Sequence, residues 1–197
     1  YRRLLTQCRG QQQYLFSHRL AELAGVTPAQ VRRDIMAVGY SGSPSKGYEI
    51  DVLLQHINTF LDPATPQPVA LVGVGNLGRA ILAFFAGRQP KLKIVAAFDR
   101  DPAKTGRVIV GCRCHPVEQL GAVMAAQDIT IGIIAVPASA AQQVADDLVA
   151  HGATGILNFA PTPLRLPPHV YFEDIDLTTS LDTVAYFARS AATPTPT

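Results

Sequence analysis

The chain has 197 residues, of which 48% are hydrophobic and 16% are charged, and its formal net charge at pH 7 is +2, so one or two globular domains are expected. It contains neither an apolar run long enough for a membrane span nor the basic and apolar segments of a signal peptide, which indicates a cytoplasmic protein without a membrane partner. Its three cysteines, Cys8, Cys112 and Cys114, lack disulfide spacing, and a zinc site at Cys112, Cys114 and His115 has no second ligand cluster, so no metal is predicted.

Positive charge is concentrated near the N-terminal end. Residues 1–47 contain seven Lys or Arg and two Asp or Glu, a net charge of +5, so the other 150 residues carry a net charge of −3. This asymmetry favours a polyanionic partner for the first part of the chain. The alternative interpretation is a charged face that is merely solvated.

Two short helices are predicted first. Apolar residues near helical spacing between Leu4 and Leu15 predict an opening helix. Ser17 is expected to cap a second helix, which Gly25 ends.

The third helix has the clearest start signal. Thr27 precedes Pro28, and Gln30 follows three residues after the threonine, as in a capping box with proline at the first helical position. The helix is predicted to run to about Val38 and to bury an apolar stripe at i, i+4 and i+7, formed by Val31, Ile35 and Val38.

Together these helices form a helix-turn-helix pattern with a basic second helix. Residues 39–47 then read as a loop that leads into a strand over 48–52, which is typical of a wing. The predicted contacts to double-stranded DNA are Gln30, Arg32, Arg33, Lys46 and Tyr48.

Three prolines within residues 62–68 exclude a helix there and predict an interdomain linker. The predicted organisation is therefore a winged-helix domain at 1–61, a linker at 62–68, a dinucleotide-binding domain at 69–173, a dimerisation helix within 174–190 and a disordered tail at 191–197.

A Gly-x-Gly-x-x-Gly motif lies between a predicted strand at 69–72 and a predicted helix at 80–85. In this context Gly73 permits the tight turn, Gly75 lets a pyrophosphate approach, and Gly78 lets the helix pack against the sheet. Asn76 and Leu77 complete the loop, whose backbone amides face the phosphates.

Asp99 ends the next predicted strand, 21 residues after Gly78, where a carboxylate binds the adenosine ribose of NAD or NADH. Its charge favours NAD over NADP, although the neighbouring Arg100 is able to receive a 2′-phosphate.

Strands and helices continue to alternate, with strands near 108–110, 129–136, 155–159 and 170–173 and helices over 116–126, 138–150 and 177–189. The predicted fold class is thus α/β, with a winged-helix domain followed by a doubly wound, parallel Rossmann sheet. Val136, Pro137 and Asn158 are expected to line the nicotinamide pocket. No substrate domain or paired acid and base follows, so no catalytic residues and no enzymatic activity are predicted.

The motifs together resemble the Rex family of redox-sensing transcriptional repressors. They are LAELA at 20–24, VRRDI at 31–35, GY at 47–48, GVGNLG at 73–78, FDRDP at 98–102 before Lys104 and Gly106, GILNFAP at 155–161 and DL at 176–177. The resemblance implies a homodimer that exchanges its C-terminal helix, binds palindromic operator DNA when NADH is low and is released by NADH. It also implies that Asp176 pairs with an N-terminal arginine, here Arg9, in one of two states.

Two positions depart from the family pattern. The family usually has a tyrosine near the end of the first Rossmann helix, where Phe84 stands here; an aromatic contact to nicotinamide is retained and the hydroxyl is lost. The wing has Pro44 and Ser45 where a basic residue and a glycine are usual, and Lys46 comes later.

Two other interpretations remain open at this stage. An NAD-dependent oxidoreductase or dinucleotide-binding subunit would use the N-terminal helices for assembly only. A regulator of another nucleotide such as CoA would suit the GILNFAP stretch, but Asp99 at the ribose position speaks against it.

Overall fold

The computed structural model describes residues 1–61, 66–87 and 91–191. The chain forms two compact units, Tyr1–Thr65 and Pro66–Thr197. Most of the predicted linker, residues 62–65, and most of the predicted tail, residues 192–197, lie outside the described residues.

The first unit is a winged helix. In chain order it contains α1 (Arg2–Cys8), β1 (Tyr14–Leu15), α2 (Ser17–Ala24), α3 (Pro28–Ala37), β2 (Tyr48–Glu49) and α4 (Ile50–Leu61). β1 and β2 pair antiparallel, with Leu15 opposite Tyr48. Leu5, Leu20, Val31 and Leu53, one from each helix, are 0% exposed and form the centre of the core.

Three local predictions in this unit are wrong. The first helix ends at Cys8, before Gly10 adopts a left-handed conformation with φ of 85°, and Leu15 lies on β1 instead. The N-cap of α2 is Phe16, which makes no side-chain capping bond, so Ser17 is already helical. Residues 50–52 begin α4, because Ile50, Leu53, Leu54 and Ile57 are buried at helical spacing.

The start of α3 is as predicted. Thr27 is the N-cap, its hydroxyl accepts a hydrogen bond from the Gln30 amide at 3.2 Å, and Pro28 is the first helical residue. Gly25 ends α2 in a left-handed conformation.

This cap gives a stability prediction. Thr27→Ala leaves the Gln30 amide without its acceptor and is expected to lower the free energy of unfolding of the first unit by about 1 kcal/mol. Urea unfolding monitored by circular dichroism measures the change, and Thr6→Ala, which removes an exposed hydroxyl within α1, is the control. An unchanged unfolding midpoint for Thr27→Ala would contradict the capping role.

The second unit is a doubly wound α/β domain. Its elements are β3 (Gln67–Val72), α5 (Asn76–Phe85), β4 (Leu92–Asp99), β5 (Val108–Ile109), β6 (Cys112–Pro116), a 3-10 turn (Val117–Gln119), α6 (Leu120–Ala126), β7 (Ile131–Ile134), α7 (Ala138–Ala150), β8 (Gly155–Asn158), β9 (Tyr171–Asp174) and α8 (Leu177–Ala191). The strand order is β5-β6-β4-β3-β7-β8-β9, and all neighbours are parallel except β5 and β6. The predicted fold class is therefore confirmed, with β3 and β7 adjacent at the point where the strand order reverses.

The sequence did not predict β6. Pro116, expected to start a helix, is instead the last residue of this strand. Cys112 and Cys114 are buried on one face while Arg113 between them is exposed, and Cys114 lies beside Ala97 of β4. The strand has only five residues, and its buried side chains are cysteines. It therefore lacks a long alternation of apolar and polar residues by which a strand is recognised.

The last helix, α8, begins where predicted and has its apolar side chains exposed. Leu177, Leu181, Val184 and Phe187 are each at least 64% exposed. These four residues are named the α8 stripe. Among the helices that the structure describes, none is long and apolar enough to cross a bilayer.

Candidate functional site

The loop after β3 is shaped by two glycines. Gly73 has a φ of 98°, and a Cβ there would lie 2.4 Å from the Ala135 carbonyl oxygen. A Cβ on Gly78 would lie 2.0 Å from the Gly73 carbonyl oxygen, so α5 packs directly on the loop. The tight turn and the close packing expected of these residues are both present.

The third glycine faces open space. Gly75 is the N-cap of α5, has an ordinary extended backbone, and a Cβ there would meet no atom within 4 Å. Asn76 and Leu77 follow as the first, exposed residues of the helix. Backbone amides in a first helical turn have no intrahelical acceptor, so this position is suited to an anion.

A cavity of about 490 Å³ adjoins this loop at the carboxyl ends of the strands. Of the predicted cofactor residues, it brings together Gly73, Gly75, Asp99, Arg100, Val136 and Pro137. The residues that the sequence did not predict to line it include Lys104, Val117, Ala140, Gln143, Val144 and Asp147. This is the binding cleft expected of a doubly wound fold.

Asp99 is fixed by three donors. Its Oδ2 accepts hydrogen bonds from the Val74 amide at 2.8 Å and the Lys104 ammonium at 3.0 Å, and its Oδ1 accepts one from the Asp101 amide at 2.9 Å. Burial by itself would raise the pKa of Asp99, but these bonds and the Lys104 charge outweigh burial and hold the pKa below its usual value. Asp99 is thus an ionised acceptor that is hydrogen-bonded to residues 73–75, the loop after β3, which is named the glycine loop.

The far wall of the cavity belongs to α7. Gln143 Nε2 donates to Asp147 Oδ1 at 2.9 Å, one helical turn apart, and apolar Ala140 and Val144 lie on the same side of the helix. This wall combines apolar side chains with an oriented amide and carboxylate. It is suited to an aromatic base with polar edges.

Five predicted cofactor residues are not among those that line this cavity: Asn76, Leu77 and Gly78 in the first turn of α5, and Asn158 and Phe84. Asn158 is 1% exposed, and its amide donates to the Ala160 and Thr162 carbonyls and to Asp174 while accepting from the Ala160 amide. Phe84 is 57% exposed and contacts Phe85 edge to face. Asn158 organises the turn after β8 in this chain, because its hydrogen-bonding groups are directed at protein partners.

In the first unit, the predicted α3 side chains form a connected polar face. Gln30 donates to Asp34 at 2.6 Å and accepts from Arg33 at 2.8 Å, and Arg32 donates to the Ser17 hydroxyl at 3.3 Å. Asp34, the only acidic residue of α3, also accepts a hydrogen bond from the Tyr1 hydroxyl. Partial burial and this bond to Asp34 raise the pKa of Tyr1 to about 12.

The predicted wing is a short hairpin. Ser43 and Gly47 exchange two backbone hydrogen bonds of 2.8 Å, and the Lys46 ammonium lies 5.8 Å from the centre of the Tyr14 ring. Tyr48 is 8% exposed and packs near Tyr40, so it supports the hairpin from the core rather than standing on its surface. Burial raises the pKa of Tyr48 despite the nearby Arg32.

The two predicted switch residues each have a partner within their own unit. Arg9 Nε lies 2.8 Å from Asp51 Oδ1, and both side chains are 65% exposed. Asp176 caps α8 by accepting from the amides of Thr178 and Thr179 and from the Thr179 hydroxyl. The bonds from Thr179 lower the pKa of Asp176.

Across 1–61, 66–87 and 91–191, no group of three His, Cys, Asp or Glu side chains is placed to hold a metal ion. Cys112 and Cys114 are buried thiols, and burial raises the pKa of Cys112 to about 11.

Comparison with known proteins gives matches over both units. Residues 64–162 match the family described as CoA binding domain. The redox-sensing transcriptional repressor Rex of Pelotomaculum thermopropionicum is 40% identical over 170 residues, covering 86% of this chain and 80% of that protein.

Two solved structures extend the likeness to 98% of this chain at 30% identity. The crystal structure of RSP in complex with β-NAD+ and operator DNA has a TM-score of 0.86, with 89% of its chain covered. The structure of RSP in complex with β-NADH has a TM-score of 0.85, with 90% covered.

Proposed function

The chain belongs to the Rex family of redox-sensing transcriptional repressors, and we propose that it binds operator DNA through its first unit and is released when NADH binds its second. One observation carries this proposal. The same chain contains a basic helix-turn-helix and a cavity lined by Gly75 and Asp99. The RSP complexes with NADH, and with NAD+ and operator DNA, support both halves.

The cavity suggests how the nucleotide lies. The pyrophosphate sits before α5 at Gly75, where the first amides of the helix are available. The adenosine ribose reaches Asp99, and the adenine base packs between Val117 and the α7 wall. Pro137 lies on the side of the cavity where the nicotinamide is proposed to bind. Contacts from Phe84 and Asn158 to the nicotinamide ring remain predictions.

On DNA, α3 enters the major groove and the hairpin approaches the backbone beside it. Arg32, Arg33 and Lys46 are exposed cations on these two elements. Gln30 is already oriented by Asp34 and Arg33, which prepares its amide for a base edge. Tyr48 contributes indirectly, by holding the hairpin on the core.

Removing one of these cations tests the DNA-binding assignment. Lys46→Ala and Arg32→Ala are each expected to weaken operator binding about tenfold, and each to lower the slope of log K against log salt by about 1, because one phosphate contact is lost. Fluorescence anisotropy at several salt concentrations measures both quantities. Lys93→Ala, which removes an exposed cation from β4, is the matched control, and an equal effect there would contradict the assignment.

We propose a homodimer joined through the α8 stripe. A palindromic operator presents two equivalent half-sites, which a two-fold symmetric dimer matches. NADH releases DNA only if it binds more tightly to the dimer arrangement that cannot span both half-sites. Arg9 and Asp176 remain the proposed pair that distinguishes the two arrangements.

The proposed role is regulatory rather than enzymatic, and acts on DNA in the cytoplasm. An NAD-dependent oxidoreductase would not need the cationic face of α3. A CoA sensor is disfavoured because the 3′-phosphate of CoA would approach the ionised Asp99, although the second unit matches the family described as CoA binding domain.

The decisive experiment measures DNA release. A palindromic duplex selected from a random pool is bound to the full chain, and NADH, NAD+ and CoA are titrated separately while anisotropy reports the bound fraction. We expect NADH to release the duplex at concentrations where NAD+ and CoA do not. A specific complex that survives millimolar NADH would overturn the proposal.

A further inference from the structure

Lys104 lines the nucleotide cavity and contacts two carboxylates there. Its ammonium lies 3.0 Å from Asp99 Oδ2 and 3.8 Å from Asp101 Oδ2, and its side chain is only 25% exposed. Its backbone amide also donates to the Asp101 carbonyl at 3.0 Å. The lysine is therefore fixed at the place where β4 meets the cavity, rather than extended into solvent.

These contacts limit what Asp99 can bind. A carboxylate has about four acceptor positions, and Val74, Asp101 and Lys104 occupy three of those on Asp99. The remaining position is on Oδ1, since Oδ2 already accepts twice. Asp99 is therefore arranged to accept from a single ribose hydroxyl.

The same contacts change the electrostatic character of this corner. A lone aspartate at the end of this strand repels a ribose 2′-phosphate. Here Asp99 and Asp101 are balanced by Arg100 and Lys104, so the four side chains carry no net charge. Both cations line the cavity together with Asp99.

We infer that Lys104 is a positioning and specificity-determining residue: it holds Asp99 against the glycine loop and, with Arg100, sets how strongly the cavity rejects a nucleotide with a 2′-phosphate. The inference rests on the proposed binding of NADH. It means that NADPH is rejected less strongly than Asp99 alone would dictate. The preference for NADH is then a balance between Asp99 and two neighbouring cations.

Removal of the lysine charge should shift this balance. In Lys104→Met, the ratio of the NADPH to the NADH dissociation constant is expected to rise about tenfold, because the phosphate loses a nearby cation while both carboxylates stay. Lys104→Arg keeps the charge and should restore the ratio to within about twofold. Arg100→Met, at an exposed position, should shift the ratio in the same direction as Lys104→Met.

Titration calorimetry of the full chain with NADH and with NADPH measures these ratios, and thermal melting shows whether each variant is folded. If Lys104→Met weakens both nucleotides by the same factor, the lysine only stabilises the loop and the inference is wrong. If Lys104→Met does not fold, Arg100→Met decides, and an unchanged ratio there overturns the inference. Absence of NADH binding by the unmodified chain would instead refute the proposed function.

Discussion

Gly75→Val is expected to weaken NADH binding by at least about tenfold while leaving the folded protein intact. A side chain at Gly75 meets no protein atom within 4 Å, and its backbone conformation is open to any residue. In the proposed binding mode, the space it fills is the one through which the pyrophosphate reaches the first amides of α5. Loss of nucleotide binding would thus come from occupied ligand space rather than from a damaged fold.

Gly78→Ala is the informative contrast. A Cβ at that position would lie 2.0 Å from the Gly73 carbonyl oxygen, so α5 must move away from the loop. We expect this variant to lower the free energy of unfolding by about 1–3 kcal/mol, as overpacking does elsewhere. The two glycines of one motif should therefore separate into a binding effect and a stability effect.

Calorimetric titration with NADH and thermal melting of both variants provide the measurement. The expected pattern is a normal melting temperature with weak binding for Gly75→Val, and a lowered melting temperature for Gly78→Ala. Normal NADH affinity in Gly75→Val would mean that the nucleotide does not pass over this glycine. The position of the pyrophosphate would then have to be reassigned.

The motif was predictable because its chemistry is local. Gly73 and Gly75 lie between β3 and α5, Gly78 lies in the first turn of α5, and Asp99 ends the neighbouring strand. The sequence therefore predicted both the sheet and the loop side of the cavity. Thr27 and Gly25 were predictable for the same reason, since a cap needs only its own turn.

What escaped prediction depends on contacts between distant segments. Asp147 lines the cavity because α7 packs beside β7, and no local pattern indicates that position. Tyr48 was predicted to contact DNA, and the local sequence did not indicate that it pairs with Leu15 and is buried in the core. The hydrogen bond from Asn158 to Asp174 spans 16 residues and could not be predicted from the local sequence, and a contact from Asn158 to nicotinamide stays a prediction.

Lys104 is an intermediate case. It lies only five residues from Asp99, yet an isolated lysine in a loop is usually solvated. The contact between the Lys104 ammonium and the Asp99 carboxylate depends on the turn through Asp101. The short distance in sequence was therefore not enough to predict this contact, because it also requires the conformation of the loop.

The α8 stripe gives the second large expected effect. Four apolar side chains at least 64% exposed are unusual on a single helix, and each Leu, Val or Phe buried against a partner contributes about 1.5–3 kcal/mol. Replacing Leu181 and Val184 by aspartate in one variant places two carboxylates in that surface. We expect the proposed dimer to dissociate and operator affinity to fall by at least about a hundredfold, since a monomer contacts only one half-site.

Analytical ultracentrifugation and operator anisotropy of the double variant test this directly. Asp182→Lys changes a charge from −1 to +1 on the side of α8 away from the stripe and should remain dimeric, which separates the position of a charge change from its presence. NADH binding by the double variant shows whether its second unit is still folded. If the variant is monomeric and still binds NADH, only dimer assembly has been lost. A double variant that stays dimeric and binds its operator normally would exclude α8 as the interface. In the proposed mechanism, NADH changes DNA affinity by changing how the dimer holds the two half-sites relative to each other. If α8 is not the interface, that mechanism has no structural element that links NADH binding to DNA release.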